Sequence, residues 1–294
     1  MMRRLILLAC AAALPACVTN PYTDRSQLML ISEAEEVQMG VEGYSQVMQE
    51  EPVIRDADLN APLRRVGKAI SSAADAWRAE QGAAPYEWEF KLIASDDTVN
   101  AWCMPGGKIA FYTGIFPILE DEAGMAIVMG HEVAHAMLRH GGERVSQNLA
   151  TGVALSAAGL LAKDSEHRDL ALAALGAGVS VGVLLPYSRS HESEADYLGL
   201  KLAARAGYDP ENGIRIWENM SRLGGAPPEW LSTHPDPATR IAQMREWMPE
   251  MKATYRRAKH MPNAPLPHAF GRGPATPAKS ATERGGALRP RHAR

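Results

Sequence analysis

Gly130-His131-Glu132-Val133-Ala134-His135-Ala136-Met137-Leu138-Arg139-His140 is the stretch on which the reading of this chain turns. Within it, His131 and His135 stand four residues apart, in an HExxH pattern. On an α-helix such positions lie one above the other on the same face, so the two imidazoles can hold one metal ion from one side. Glu132 is turned about 100° from His131, at roughly 3.6 residues per turn, which sets it beside the ion rather than on it. There it can take a proton from a water that the metal activates. The competing reading is a wet amphipathic helix that happens to carry these residues, and residues further along weaken it. His140 is nine positions from His131, half a helical circumference away, and does not reach the same ion.

A catalytic zinc usually has three protein ligands and one open position. His191, Glu192, Glu194 and Asp196 are the candidates for the third. Glu192 and Asp196 are i,i+4 and share a helical face, while Glu194 points roughly 200° from Glu192. A carboxylate followed one turn later by a second suits a ligand and the partner that orients a ligating histidine. The same residues also suit a solvated acidic helix start, favoured by the helix dipole. Spacing alone leaves both readings open.

The rest of the chain reads as α+β, mainly helical, with a small antiparallel sheet over the metal helix. Ser32 with Glu35 forms a capping box for an amphipathic helix running to about Glu50. A second helix spans about Asp58 to Gln81 and ends at Gly82. Tyr86, Trp88, Phe90 and Leu92 alternate with charged residues, the pattern of a half-buried strand. Val99 to Met104 and Lys108 to Thr113 flank Pro105-Gly106-Gly107 and predict a hairpin. Asp121 and Glu122 open the HExxH helix. Residues 149–162 and 170–185 are rich in Ala, Gly, Leu and Val; each is shorter than a bilayer span and reads as half of a buried helical hairpin, the alternative being a hairpin that dips into the membrane or gates the site. Residues 192–206 form a further helix closed by Gly207. Asp209-Pro210 and Asp236-Pro237 each pair an N-cap with Pro at the first helical position, predicting two more.

The first 16 residues carry a basic start, an apolar run from Leu5 to Leu14, and a small residue before Cys17, the layout of a signal peptide. Leu14-Pro15-Ala16-Cys17 resembles a bacterial lipobox, which makes Cys17 the lipidated residue and Val18 to Ile31 an extended leader from that anchor. The expected organisation is a signal peptide over 1–16, a lipidated leader over 17–31, a catalytic domain over 32–258 and a basic disordered tail over 259–294. Cys103 is then the one thiol left in the body, and it reads as a small packing residue. The formal net charge of −3 includes a tail with seven Lys/Arg against one Glu, so the body is acidic and no nucleic-acid partner is expected.

The stretches HEVAHAMLRH and SRSHESEADYLG resemble the paired motifs of the membrane-associated gluzincins, the family of the CAAX prenyl endopeptidases, the bacterial heat-shock membrane proteases and the Oma-type mitochondrial protease. The resemblance covers roughly residues 18–250 and implies one Zn²⁺ per subunit, held by His131, His135 and Glu192, with Glu132 as general base and Asp196 behind the ligands. Val99-Asn100-Ala101-Trp102 resembles the family's edge strand, which implies that Asn100, Ala101 and Trp102 hold substrate. Ser232-Thr233-His234-Pro235 with Arg240 resembles its HP…R motif, which implies His234 as oxyanion donor supported by Arg240. Asn20-Pro21-Tyr22-Thr23-Asp24-Arg25-Ser26-Gln27 is similar to the leader of the periplasmic lipoprotein branch. The implied function is zinc-dependent endoproteolysis of unfolded or misassembled polypeptides at the periplasmic face of the outer membrane, with the outer-membrane protein assembly machinery as a partner. The alternatives are a non-catalytic assembly factor with a structural zinc, which has no need of Glu132, and a prenyl-peptide endopeptidase, disfavoured by the lack of full membrane spans. If Cys17 carries the anchor, Cys17→Ala moves the protein from the membrane to the soluble envelope fraction; retention of that variant in sedimented membranes would refute a lipid as the sole tether.

Overall fold

The structure, a computed structural model, describes residues 17–161, 188–222, 230, 232, 234 and 237–267. Its elements in order are β1 (Cys17–Thr19), β2 (Ser26–Leu28), α1 (Glu33–Glu50), α2 (Ala61–Glu80), β3 (Glu89–Ile93), β4 (Ala101–Met104), β5 (Lys108–Tyr112), α3 (Phe116–Leu119), α4 (Glu122–Met137), α5 (His140–Leu161), α6 (Arg189–Arg205), α7 (Asn212–Ser221) and α8 (Pro237–Arg257). The class is α+β and mainly helical, as the sequence predicts.

Local chemistry sets most of the helix starts. The Ser32–Glu35 capping box is complete, with Glu35 N donating to Ser32 Oγ and Ser32 N to the Glu35 carboxylate. Asp121 caps α4 by accepting from Gly124 N at 2.8 Å. Ser188 caps α6 by accepting from His191 N, so this helix begins three residues before the expected Glu192. At Asp209-Pro210 the carboxylate takes Glu211 N in a tight turn, which delays α7 to Asn212. Pro237 is the first residue of α8, as expected; Asp236 lies outside the described residues.

α4 is buried along its whole length and packs against α2, α6, α7 and β4. A helix covered on every side belongs to the middle of a core. Its crossing with α6 is unusually close. A Cβ on Gly199 would stand 2.7 Å from His131 N, and one on Gly130 would stand 2.7 Å from the Gly199 carbonyl oxygen. Glu192, Asp196 and Gly199 are spaced i, i+4, i+7, so they share one face. The glycine contact therefore presses both carboxylates of α6 against the histidine face of α4.

The main sheet corrects the expectation of an antiparallel arrangement. Its order is β3-β5-β4; β4 and β5 form the predicted antiparallel hairpin, but β3 runs parallel to β5. All five residues of β5 are buried, so the strand needs neighbours on both edges. The hairpin partner covers one edge, and β3 fills the other from the same direction.

Two boundaries also move. Residues 17–31 do not form an extended leader: β1 and β2 pair as an antiparallel hairpin, and Tyr22 packs edge-on against Trp77 of α2. Residues after 258 are not all disordered tail. Met261 N donates to Gly207 O, Glu122 N to Ala264 O, and Leu266 is buried. This extended stretch satisfies an open amide in the first turn of α4, a need that composition does not reveal. The apolar stretch 149–162 falls in α5 as far as Leu161, and 170–185 lies outside the described residues. Among the described residues, no helix is long and apolar enough to cross a membrane.

A methyl added at Gly199 meets backbone rather than a flexible side chain, and overpacking of this kind costs about 1–3 kcal/mol. Gly199→Ala should lower the melting temperature by about 2–4 °C for each kcal/mol lost, and should reduce zinc bound per protein. Calorimetry with metal analysis tests this; if neither value changes, the α4–α6 crossing is slacker than its geometry indicates.

Candidate metal centre

α4 presents His131 and His135 one turn apart, with their Nε2 atoms 3.0 Å from each other. From α6, Glu192 sets its carboxylate oxygens 3.6 Å from His131 Nε2 and 3.5 Å from His135 Nε2. His234 brings Nδ1 to 3.2 Å from His131 Nε2 and to 3.0 and 3.1 Å from the two Glu192 oxygens. One ligand atom from each of these four residues lies within 4.8 Å of the other three, and all four residues are buried.

The hydrogen bonds around this group orient its lone pairs inward. His131 Nδ1–H donates to Asp196 Oδ1 at 3.1 Å, which leaves Nε2 as the acceptor facing Glu192. Arg240 forks onto Asp196 with two 2.5 Å bonds and donates to Glu192 Oε2 at 2.6 Å. Its guanidinium lies over the Trp217 ring at 3.7 Å. His135 Nδ1 stands 2.9 Å from His140 Nδ1, and His140 Nε2 stands 3.1 Å from Glu194 Oε2. With His140 Nε2–H donating to that carboxylate, His140 Nδ1 accepts from His135 Nδ1–H, and His135 Nε2 also points its lone pair at the group.

The charge states follow from burial and these partners. Burial, with the neighbouring imidazoles, holds His135 well below the usual histidine range, so it stays neutral. Burial takes His140 down to about 4, against the pull of Glu194. Glu192 and Asp196 would be raised by burial, but His234 and Arg240 outweigh it for Glu192, and Arg240 does so for Asp196, so both stay ionised. His234 would be lowered by burial, yet the Glu192 and Glu132 carboxylates lift it above its ordinary value. Two imidazole nitrogens and one ionised carboxylate form a donor set that suits Zn²⁺.

Glu132 stays outside the four-residue group, as its turn on the helix requires. Its Oε1 accepts from Trp230 Nε1 at 2.8 Å and lies 3.6 Å from His234 Nε2.

A model of peptidase family M48 matches residues 60–248. The chain belongs to that family. It is 30% identical over 255 residues to the mitochondrial metalloendopeptidase OMA1 of Saccharomyces cerevisiae, covering 80% of this chain and 70% of the yeast one. Over 178 residues it is 38% identical to OMA1 of Schizosaccharomyces pombe, covering 58% of this chain and 50% of that one. Over 242 residues it is 28% identical to the beta-barrel assembly-enhancing protease of Escherichia coli, covering 80% of this chain and 48% of that one. The chain thus spans about half the length of the fission-yeast and Escherichia coli relatives. M48 metallopeptidases use zinc, and the buried donor set has the ligand chemistry to hold it.

The strand expected to hold substrate, β4, is one of the two edge strands of the three-stranded sheet. Tyr112 N donates to Asn100 O, and Trp102 is paired with Ala110. The backbone groups of Asn100 and Trp102 therefore face β5, and those of Ala101 and Cys103 face the outer edge. Asn100 Oδ1 takes the Ala101 amide at 2.8 Å, and Trp230 N donates to Val99 O at 3.2 Å. Trp230 thus joins the head of this strand to Glu132. Trp102 packs edge-on against Tyr44 of α1. The Cys103 thiol is half-buried and raised well above its usual range by burial, which agrees with a packing role.

Sequence reasoning missed Trp230, Arg25 and the part played by His140. Trp230 precedes His234 by four positions, and His234 N donates to Trp230 O in a helical turn; that spacing was the available signal. Excluding His140 as a ligand was sound, but it overlooked the other nitrogen of His135. Glu194 faces away from the ligand group, as its angle on α6 predicts, and pairs with Arg25 and His140 instead. Glu192→Gln should therefore strip most of the zinc, while Glu194→Gln keeps it at reduced affinity. Asp196→Asn, which acts through His131, should cost about 10–100-fold in affinity. Zinc per protein in the purified variants decides; a metal-free Glu194→Gln beside a loaded Glu192→Gln would overturn the assignment.

Proposed function

We propose that this protein is a zinc endopeptidase that cleaves unfolded or misassembled polypeptides in the periplasm, anchored to the outer membrane through Cys17. The observation that carries the chemistry is the division of labour on α4: His131 and His135 join Glu192 in one buried group, while Glu132 stands one residue away and outside it. A structural zinc site needs no such base, which weighs against the assembly-factor reading.

Zinc, when bound, supplies Lewis acidity that activates a water and polarises a carbonyl. His131, His135 and Glu192 would hold it. Glu132 takes the proton of the attacking water and then delivers it to the departing amine nitrogen. His234, with Nε2 3.6 Å from Glu132, donates to the carbonyl oxygen as negative charge develops there. The outward carbonyls of Ala101 and Cys103 and the outward Cys103 amide pair with an extended substrate by strand addition, while the Ala101 amide stays on Asn100 Oδ1. Recognition of this kind reads backbone more than side chains and requires a chain free of its own structure.

The location rests on the lipobox-like Leu14-to-Cys17 stretch and on the exposure of Cys17 at the start of the hairpin. The names of the Escherichia coli and Yersinia pestis relatives, beta-barrel assembly-enhancing proteases, support envelope protein assembly as the setting. The yeast relatives are mitochondrial by name, so they support the chemistry of this reading and not its location.

Casein turnover by the purified protein should stop on zinc chelation and return with added Zn²⁺. Glu132→Gln should keep its metal and lose about 10²–10⁴ in rate, as for a missing general base. His234→Ala should keep its metal and lose about 10²–10³ in kcat, as for a missing oxyanion donor. Zinc-independent hydrolysis, or full activity of Glu132→Gln, would overturn the enzymatic reading; loss of zinc from His234→Ala would make His234 a ligand instead.

A further inference from the structure

The chain corner that joins α4 to α5 is gripped almost wholly by the N-terminal segment. Asn20 Nδ2 and Gln27 Nε2 both donate to Leu138 O, at 3.1 and 2.8 Å. Arg139 Nη2 donates to Ile31 O at 3.0 Å. Glu36 accepts from Arg139 Nε at 2.7 Å and from Gly142 N at 2.9 Å. Leu30 N donates to Ser146 Oγ at 2.8 Å. Arg139 itself takes a left-handed backbone, φ +56°, which a non-glycine residue adopts only where its surroundings hold it.

At the centre of this corner is Arg25. Its Nη1 and Nη2 fork onto Glu143 at 2.8 and 2.6 Å, and its Nε donates to both oxygens of Glu194 at 2.9 Å. A single guanidinium thus fixes one carboxylate of α5 against one of α6. Glu194 is the partner of His140, and Glu143 stands 3.0 Å from His191 Nε2. The His140 and His191 rings stack, centroids 4.3 Å apart, and His140 is fully buried. His140 has little freedom left, and its Nδ1 lies 2.9 Å from Nδ1 of His135.

We propose that His140 and Arg25 are positioning residues of the metal centre. His140 accepts the Nδ1 proton of His135 and so keeps Nε2 of His135 unprotonated and aimed at the metal; Arg25 holds Glu194 where it fixes the His140 ring. The N-terminal hairpin is then a working part of the site. This rests on the reading of His135 as a zinc ligand. Second-layer partners of ligating histidines are generally carboxylates, backbone carbonyls or water. Here the partner is another imidazole, with a carboxylate and an arginine behind it.

The test measures metal affinity by chelator competition on the full chain, together with the absorption bands of the cobalt-substituted protein. His140→Leu removes the acceptor while keeping bulk, and should lower zinc affinity about 10–100-fold and shift the cobalt bands. His140→Asn returns an acceptor oxygen near the Nδ1 position and should restore most of the affinity. Arg25→Met, acting through two intervening groups, should weaken zinc several-fold and slow casein turnover through kcat rather than KM; Arg25→Lys should recover part of that loss. A His140→Leu protein with wild-type affinity and unchanged cobalt bands would overturn the proposal. Should that variant fail to fold, equal affinities and spectra for Arg25→Met and the wild type overturn it in the same way. His135→Gln is the separate control: zinc binding at wild-type strength in that variant refutes the ligand reading itself, whatever His140 does.

Discussion

The constraint on which this structure depends is the burial of ionised carboxylates. Glu192 and Asp196 sit in the interior between α4 and α6, where an unpaired charge is strongly unfavourable. Arg240, itself buried, answers both: it forks onto Asp196, reaches Glu192, and lays its flat face on Trp217. Arginine suits this role because a planar guanidinium binds two acceptors in its plane and an aromatic ring on its face. Counted formally, Glu132, Glu192 and Asp196 set three negative charges against one arginine. The two left over match a divalent cation, and the raised proton affinity of His234 has the same origin.

The two histidines of α4 in the donor group solve one orientation problem with different chemistry. His131 leans on Asp196, an anion backed by Arg240; His135 leans on His140, a neutral ring backed by Glu194 and Arg25. A charged acceptor raises the basicity of its histidine more than a neutral one does, so the two nitrogens offered to the metal are not equivalent. Both supports are drawn from α6 and from flanking segments, because α4 is covered on every side and has no surface left from which to orient its own side chains. The glycine contact of Gly130 with Gly199 belongs to the same logic. It brings α6 close enough for short carboxylate side chains to span the gap.

What the sequence discloses here is what repeats locally. HExxH on one helical face, Glu192 and Asp196 on another, the Ser32 cap and the Pro105-Gly106-Gly107 turn follow from spacing and backbone preference, and each stands where those rules put it. The parallel placement of β3 was not legible, since it depends on β5 needing cover along both edges. Nor was Trp230 on Glu132, because that bond joins residues 98 positions apart. The N-terminal segment misled most. Asn20, Arg25 and Gln27 look like polar residues of a solvated leader, and only their partners in α4, α5 and α6 show why they are buried or paired.

That correction bears on how an anchored protease would be held. A flexible leader would let the catalytic body turn freely at a distance from the membrane. The hairpin allows no such leash. From Cys17 to Asn20 is three residues, about 10 Å of extended chain at roughly 3.3 Å per residue, and Asn20 is already bonded to the carbonyl of Leu138. Under the proposed lipidation, the membrane surface lies about that far from the corner carrying His140. Val18 and Leu30 are exposed apolar residues of this same segment. An acyl chain at Cys17 and a metal ligand at His135 would share one short run of hydrogen-bonded structure, so strain applied at the anchor reaches the site through Arg25 and the 138–146 corner rather than being lost in slack chain.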